Sequence, residues 1–182
     1  KNLQNIGTPK ISLKLSPSHT NDLRESTNRI DVNNVFNLDR LSSNNTLESG
    51  ASLTYGNDFL ILDKENSREI LSLKIANNLR FDENKDLPNN NQIGQKTSNF
   101  FGEVSYSPNE FLTTKYNTTV KNNLKDVNYE NFGTEITLNN LVTTFDYLNE
   151  NNTSDEVSYL TNTTKYKIDE TNNLLFSTRR NK

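Results

Sequence analysis

The sequence predicts an all-β fold, an antiparallel meander of about nine strands. Apolar and polar residues alternate with a period of two along much of the chain, which is typical of strands that have one apolar face. Apolar residues at the i, i+3, i+4 spacing of an amphipathic helix are scarce. Short, turn-forming connections alternate with longer ones, as expected when consecutive strands are neighbours in one sheet.

The alternation places each strand in turn. Leu71, Leu73 and Ile75, for example, alternate with Ser72 and Lys74. The predicted strands span residues 9–17, 46–63, 68–80, 97–106, 111–120, 126–138, 141–149, 156–167 and 173–180. The sixth strand changes phase near Asn131–Phe132, and a β-bulge there would restore a single apolar face.

Two kinds of connection separate these strands. The short ones include a four-residue turn, Ser107–Glu110, and a two-residue hairpin turn, Asn139–Asn140, where asparagine tolerates positive φ. The remaining short connections are 64–67 and 168–172, and the longer ones are 18–45, 81–96, 121–125 and 150–155.

Composition excludes several classes of function. The 182 residues are 31% hydrophobic, include 33 asparagines and contain no Cys, so disulfide frameworks and zinc–thiolate sites are excluded. The net charge is −3 without long basic runs, so no nucleic-acid partner is predicted. No nucleophile elbow, phosphate loop or carboxylate dyad is present, and His19 is the single histidine. We therefore predict no catalytic residue, no metal site and no cofactor.

The alternation of tight turns and long loops is typical of an outer-membrane β-barrel. A soluble antiparallel sheet also alternates, but this chain offers no second apolar layer to cover so wide a sheet. Aromatic residues near predicted strand ends, as in an interfacial girdle, are Tyr106, Phe111, Tyr147 and Tyr159. Nine strands with two open edges cannot stand alone in lipid, and the chain begins at Lys1 without any Met. We therefore expect residues 1–182 to be a single partial domain, an incomplete arc of a large barrel of transmembrane strands.

One segment, residues 34–56, carries a distinctive motif. A Phe is followed by Arg-Leu-Ser, then by a polar element ending Glu-x-Gly, and then by a strand that ends Leu-x-Tyr-Gly. This segment resembles the C-terminal barrel region of the LptD (OstA or Imp) family of lipopolysaccharide-assembly proteins. The matching residues are Phe36, Arg40, Leu41, Ser42, Glu48, Gly50, Leu53, Tyr55 and Gly56. The sequence departs from the family pattern at Ser43, where the family has Gly, and at Asn45, where it has Asp.

The resemblance implies transport rather than catalysis. It implies a part of the translocon that assembles lipopolysaccharide into the outer leaflet of the outer membrane of a Gram-negative bacterium, without the N-terminal jellyroll and the remaining strands. The partners that it implies are lipopolysaccharide, outer-membrane lipid, an LptE-like lipoprotein plug, and a periplasmic Lpt bridge that would act through the jellyroll.

In such a barrel the polar positions of each strand would face a wet lumen and the apolar positions would face acyl chains. The charged residues that we expect to face the lumen are Lys14, Lys74, Glu103, Lys115 and Glu135. Arg40 would either pair with Glu48 to fold the long loop or contact a lipid headgroup. Two other interpretations stay open: another outer-membrane barrel, such as a porin or a receptor, and a soluble Asn-rich β surface domain.

Overall fold

The computed structural model describes residues 2–16, 22–26, 28–41, 48–151 and 156–181. They form one antiparallel sheet whose nine strands follow one another in chain order. The strands are β1 (Leu3–Ser16), β2 (Gly50–Asp63), β3 (Arg68–Arg80), β4 (Phe100–Asn109), β5 (Leu112–Val120), β6 (Val127–Leu138), β7 (Leu141–Asn151), β8 (Glu156–Lys167) and β9 (Asn173–Asn181). The predicted all-β meander is therefore confirmed. Across these ranges the sheet is open, with β1 and β9 as its end strands.

The strand register divides the sheet into two faces. Lys74 is paired with Asp58 and Glu103, whereas its neighbour Leu73 is paired with Phe59 and Val104. We call the face that carries Lys74 the inner face, because the long connections fold onto it, and the opposite face the outer face. By the same register, Lys14, Glu103, Lys115 and Glu135 share the inner face with Lys74.

Large apolar side chains stand exposed on the outer face from one end of the sheet to the other. Ile11 on β1 is 75% exposed, Ile75 on β3 is 53% exposed and Phe176 on β9 is 62% exposed. Large exposed apolar surfaces mark contact with a membrane or with another protein. In the described part of the chain, no helix is long and apolar enough to cross a membrane.

The buried apolar core lies on the inner face and is built mainly from connections. Two segments supply it, the first long connection (17–49) and the second long connection (81–99). They pack against Ala76 of β3 and Phe101 of β4. The core side chains from the connections are Ile30, Val32, Val35, Leu41, Leu87 and Ile93.

The first strand is longer than predicted. It begins at Leu3 and passes through Gly7 and Pro9, two residue types that usually weaken a strand. The end strand of a sheet leaves one row of its backbone groups unpaired, so Pro9 can lack an N–H there without breaking a ladder. The predicted start of the second strand, 46–47, lies outside the described residues, and β2 begins at Gly50.

The predicted four-residue turn Ser107–Glu110 is wrong. β4 continues through Pro108 to Asn109 with an irregular register, and the turn consists of Glu110 and Phe111. The Asn109 side-chain oxygen accepts hydrogen bonds from the N–H groups of Phe111 and Leu112 and thereby closes the tighter turn. The predicted hairpin turn at Asn139–Asn140 is confirmed, and Asn139 has a φ of 49°.

The sixth strand has an irregular register, but not at the predicted place. Val127 is paired with Val120, and Tyr129 is paired with Thr119, so the extra residue is Asn128. This bulge puts Val127 on the outer face and Tyr129 on the inner face, whereas the pairing from Tyr129 to Leu138 is regular.

β4 begins three residues later than predicted. Its pairing with β3 begins at Phe101, and only a single bridge, Thr97 with Leu79, continues toward the connection. In the intervening gap the amide group of Asn77 donates hydrogen bonds of 3.0 Å to the carbonyl oxygens of Ser98 and Asn99. A side chain thus replaces part of the backbone ladder.

Candidate functional site

The first long connection begins its inward fold with a turn around Asp31. The Asp31 carboxylate accepts hydrogen bonds from the N–H groups of Asn33 and Asn34, and the Asn34 side chain accepts one from the Asp31 N–H. Such reciprocal bonds satisfy donors at the start of a helical turn. The Val35 N–H then donates to the Asp31 carbonyl, and the chain turns toward the sheet.

Phe36 follows this turn and packs over Gly56 of β2. A Cβ atom added to Gly56 would lie 3.0 Å from Phe36 Cζ and 3.2 Å from Ala76 Cβ, and it would also collide with the Ile75 carbonyl oxygen. Any residue other than glycine would fill this space. The Phe36 ring can pack against the sheet here because Gly56 has no side chain.

Arg40 and Glu48 form a two-pronged ion pair. The Arg40 Nε atom donates to Glu48 Oε2 at 2.8 Å, and its Nη2 atom donates to Oε1 at 2.5 Å. Both side chains are nearly inaccessible to solvent. This geometry is the strong, orientation-specific form of an arginine–carboxylate contact, and it confirms the predicted pairing of Arg40 with Glu48.

Two further cations from the sheet approach the same carboxylate. Arg80, the last residue of β3, donates to Glu48 Oε1 and to the Ser49 carbonyl. Lys14 of β1 donates to Glu48 Oε2 at 3.3 Å and to the Leu38 carbonyl at 2.7 Å. These four residues, Lys14, Arg40, Glu48 and Arg80, are called the ionic cluster below.

Three positive charges therefore surround one buried negative charge. Burial acts to raise the pKa of the Glu48 carboxyl, but the hydrogen bonds from Arg40 and the charges of Arg40, Lys14 and Arg80 lower it below its ordinary value. Glu48 is ionised under neutral conditions, and the carboxylate is what permits the cations to be buried.

Neutral polar groups complete the surroundings of Arg40. Its guanidinium also donates to Ser52 Oγ and Thr54 Oγ1 at 3.3 Å, and to the Val35 carbonyl at 3.3 Å. Asn78 of β3 adds an acceptor at 3.5 Å and donates to Thr54. The buried cluster therefore holds the connection to β1, β2 and β3 at once.

Gly50 joins the connection to β2. Its φ of 95° lies in the region that other residues rarely adopt, and an added Cβ would lie 2.6 Å from Arg80 Nη2. A side chain here would be strained and would displace the cation that binds Glu48.

The first connection also reaches the middle of the sheet. Asn33 bridges a Lys74–Glu103 ion pair, since it accepts from Lys74 at 3.0 Å and donates to Glu103 at 3.1 Å. Farther along, the Arg29 guanidinium lies 3.8 Å from the centre of the Tyr129 ring on β6. The described part of the connection thus has contacts on the inner face from β1 as far as Tyr129 of β6.

The second long connection is tied to the first and to the 121–126 connection. The backbone N–H of Leu23 donates a hydrogen bond of 2.7 Å to the Asp86 carbonyl oxygen. The Asn122 amide donates to Gln95 Oε1 and to the Thr97 carbonyl, both at 3.0 Å. Backbone and side-chain hydrogen bonds thus join three connections at one end of the sheet.

The structure distributes the predicted motif over both faces. Six motif residues meet in the cluster and its core: Phe36, Arg40, Leu41, Glu48, Gly50 and Gly56. Leu53 and Tyr55 lie on the outer face, where Leu53 is paired with Leu13. Ser42 lies outside the described residues, as does His19.

The five charged residues that were predicted to face the lumen separate into two groups. Lys14, Lys74 and Glu103 hold the first connection. Lys115 and Glu135 line an open polar depression on β5–β7. Tyr159, predicted for an aromatic girdle, lies on the inner face and stacks with Arg179 at 3.7 Å.

Sequence reasoning missed Arg80 as a member of the ionic cluster, and it missed Asn78, Ser52 and Thr54 as hydrogen-bond partners of Arg40. Arg80 occupies a polar position at the end of a predicted strand and opens a long connection, and that position was the available signal. Arg80 meets Glu48 because the strand register pairs Arg80 with Ser52, and sequence spacing alone does not predict that register.

The ionic cluster is built to hold a loop. Its charged side chains are almost fully buried, so it offers no open surface to a substrate. Within the described ranges, no group of three or more His, Cys, Asp or Glu residues could hold a metal ion.

Comparison with known proteins gives one finding about the family. The model of a family described as LptD, LPS transport system D, matches residues 23–179. The match includes the described parts of both long connections from Leu23 onward, the ionic cluster apart from Lys14, and β2 to β8 in full. No curated protein matches the chain.

Proposed function

The chain belongs to the LptD family, and we propose that its sheet is an arc of the wall of a large outer-membrane β-barrel that assembles lipopolysaccharide into the outer leaflet. Family membership indicates lipopolysaccharide transport in the outer membrane of Gram-negative bacteria as the general function. The placement of this sheet in the wall, its orientation and its individual partners are parts of the proposal.

The observation that carries the proposal is the difference between the two faces. The outer face exposes apolar side chains on strands throughout the sheet, including Leu13, Phe145 and Leu174. The inner face carries charges, amides and hydroxyls, and part of it is covered by folded connections. A barrel wall in a membrane needs this division, because lipid covers one face and an aqueous lumen covers the other.

The connections suggest the orientation. Barrels of this class have short turns at the periplasmic rim and long loops outside. The two-residue turns 110–111 and 139–140 lie at one end of the sheet, and the two long connections lie at the other. In the proposed orientation the ionic cluster keeps the first connection folded inward at the extracellular end of the lumen.

The end strands suggest that the wall continues. β1 and β9 each have a neighbour on one side only within the described ranges, and unpaired backbone groups are costly in lipid. We therefore propose that the chain is a partial domain and that other strands of the same barrel complete the pairing.

The uncovered part of the inner face is the proposed contact for an LptE-like lipoprotein plug. A depression of about 300 Å³ lies there between β5 and β7, and its charged residues are Lys115, Glu135 and Asp146. Hydrogen-bonding groups and charges of both signs suit a polar protein surface. Delivery of lipopolysaccharide through a periplasmic Lpt bridge would depend on a jellyroll outside this chain.

The test compares adjacent residues on opposite faces in the complete protein that carries this chain. Phe145→Arg places a charge on the outer face, where it costs ~2–4 kcal/mol at mid-membrane depth. Thr144→Arg places the same charge on the inner face, beside the open depression. We expect Phe145→Arg to reduce the folded protein in outer membranes and with it the lipopolysaccharide at the cell surface. Because Thr144 lines the proposed plug contact, the control readout for Thr144→Arg is the folded protein alone, which we expect to stay near wild type.

Folded protein is measured by its heat-modifiable migration on gels, and surface lipopolysaccharide by antibody binding to intact cells. Equal loss of folded protein in the two variants would contradict the lipid-facing assignment. Normal assembly with normal surface lipopolysaccharide in Phe145→Arg would do so as well.

A further inference from the structure

The outer face contains a depression where the row of projecting side chains is interrupted. It has a volume of about 450 Å³, within the ~300–1,000 Å³ range of small-ligand sites. We call it the outer groove, and it runs across β2 to β5. Its principal lining residues are Tyr55, Ile75, Asn77, Phe100, Gly102 and Thr118.

Two residues create the groove. Gly102 of β4 has no side chain to project between Ile75 and Thr118, its neighbours in the register. Asn77 has a side chain, but its amide is turned against the carbonyl oxygens of Ser98 and Asn99, and the residue is only 1% exposed. Larger apolar side chains on each side remain as walls.

The floor of the groove is packed from the inner face. Ala76 and Phe101, whose backbones form part of the floor, have side chains in the buried core beneath the two long connections. Phe36 packs over Gly56 from the same side. Packing beneath the floor favours a preformed groove, and preorganisation of this kind reduces the entropic cost of binding.

We propose that the outer groove binds one acyl chain of lipopolysaccharide, an inference that rests on the membrane orientation in the proposed function. None of the lining residues carries a charge, so the groove suits a hydrocarbon chain. It lies toward the long-connection end of β3, β4 and β5, with Phe100 and Val120 at the ends of their strands. In the proposed orientation this is the outer-leaflet half of the wall, and the lipid that the LptD family delivers there is lipopolysaccharide.

The test fills the groove and compares a matched glycine elsewhere on the outer face. Gly102→Leu puts a side chain into the groove, where the first added carbon lies 3.3 Å from Thr118 Cγ2. Gly7→Leu adds the same side chain to β1, where no atom lies within 4 Å of the added Cβ. Both variants keep the outer face apolar, so membrane insertion alone does not distinguish them.

The complete protein is extracted from outer membranes in mild detergent, and the lipid retained on it is identified by native mass spectrometry. We expect wild type and Gly7→Leu to retain lipopolysaccharide and Gly102→Leu to lose it. If Gly102→Leu does not assemble, Asn57→Leu fills the groove from the β2 wall and is measured in the same way.

Equal retention of lipopolysaccharide by the filled-groove variant and Gly7→Leu overturns the proposal. It is also overturned if the filled-groove variant keeps its lipopolysaccharide and instead loses a phospholipid or a copurifying protein. These results are separable from failure of the proposed function. If Phe145→Arg and Thr144→Arg still differ while lipopolysaccharide retention does not, the groove proposal alone fails. If those two variants do not differ, the wall assignment fails with it.

Discussion

The two halves of the sheet share one alternating pattern but differ in what supports them. On the inner face, folded connections, a small apolar core and the ionic cluster cover parts of β1 to β4 and the Thr119 end of β5. β6 to β9 have an inner face of half-buried and exposed residues, and every buried residue of the described ranges lies at or before Asn128. Backbone ladders are nevertheless continuous from β1 to β9.

This difference shows that strands can pair without the side-chain burial that stabilises a fold. Period-two patterning and tight turns suffice to pair β6 to β9, but their side chains gain little burial within this chain. The first half has an internal reason to hold its shape, because the connections cross several strands. Local opening free energies follow such differences in packing, and we expect the second half to depend more on lipid and neighbouring strands.

The largest expected effect comes from breaking the ionic cluster. Glu48→Ala leaves three buried cations without their carboxylate, and loss of one partner from a buried ion pair costs ~3–5 kcal/mol. Hydrogen exchange of residues 28–41 in the assembled protein should speed up accordingly. Glu135→Ala, on the exposed inner face of the second half, should change stability by less than ~0.5 kcal/mol. Similar effects at both sites would contradict the difference between the halves.

A smaller effect is expected from adding one methyl group to a glycine in each half. Gly56→Ala pushes a Cβ against the Ile75 carbonyl and the Phe36 ring, and overpacking of this kind costs ~1–3 kcal/mol. In Gly133→Ala the new Cβ lies 2.8 Å from Asp146 Oδ1, a side-chain tip that can rotate away. Denaturant unfolding of the two variants measures the difference, and a larger loss in Gly133→Ala would reverse the expected order.

The smallest effect is local and depends on pH. The pKa of Glu48 is lowered in the fold, so its contribution to stability is complete above its ordinary pKa of 4.5 and is lost as the pH falls through the lower folded value. In the 168–172 turn, hydrogen bonds from Asn172 and Thr171 lower the pKa of Asp169 to about 2. The turn should therefore keep its form until the pH approaches that value.

Spin labels can follow both sites, because the chain has no native cysteine. Asn37→Cys places a label on the first long connection and Glu170→Cys places one on the turn, and both positions are exposed. Below pH 4.5 we expect the mobility of the Asn37 label to rise while that of the Glu170 label stays constant until about pH 2. A rise at the turn first, or no rise at the connection, would show that Glu48 does not hold it.

Much of the fold was predictable because strand periodicity is a local property. Each of the nine predicted strands overlaps an observed one, and the Asn139–Asn140 turn is confirmed. The misses occur where backbone pairing overrides local preference. β1 extends back through Gly7 to Leu3 because those residues pair with β2, Pro108 lies within an irregular pairing, and the extra residue of β6 is Asn128 because that is where the pairing with β5 shifts.

The candidate site was predictable only in part. Arg40 and Glu48 lie eight residues apart, close enough in sequence to predict their pairing from charge and motif. Lys14 and Arg80 lie 34 and 32 residues from Glu48, and they reach it only through the strand register together with the inward fold of the first long connection. Asn77 and Asn78 resemble ordinary polar strand residues in the sequence, although both are fully buried.

The sequence by itself determined which residues form strands, where most turns lie and which side chains share a face, since these follow from a two-residue period and from turn chemistry. The tertiary structure decided which polar residues are buried and which stay open to solvent. Lys14 and Lys115 occupy equivalent polar positions in their strands, yet one is enclosed and the other exposed. The physical reason is the first long connection, which covers β1 and leaves Lys115 of β5 uncovered.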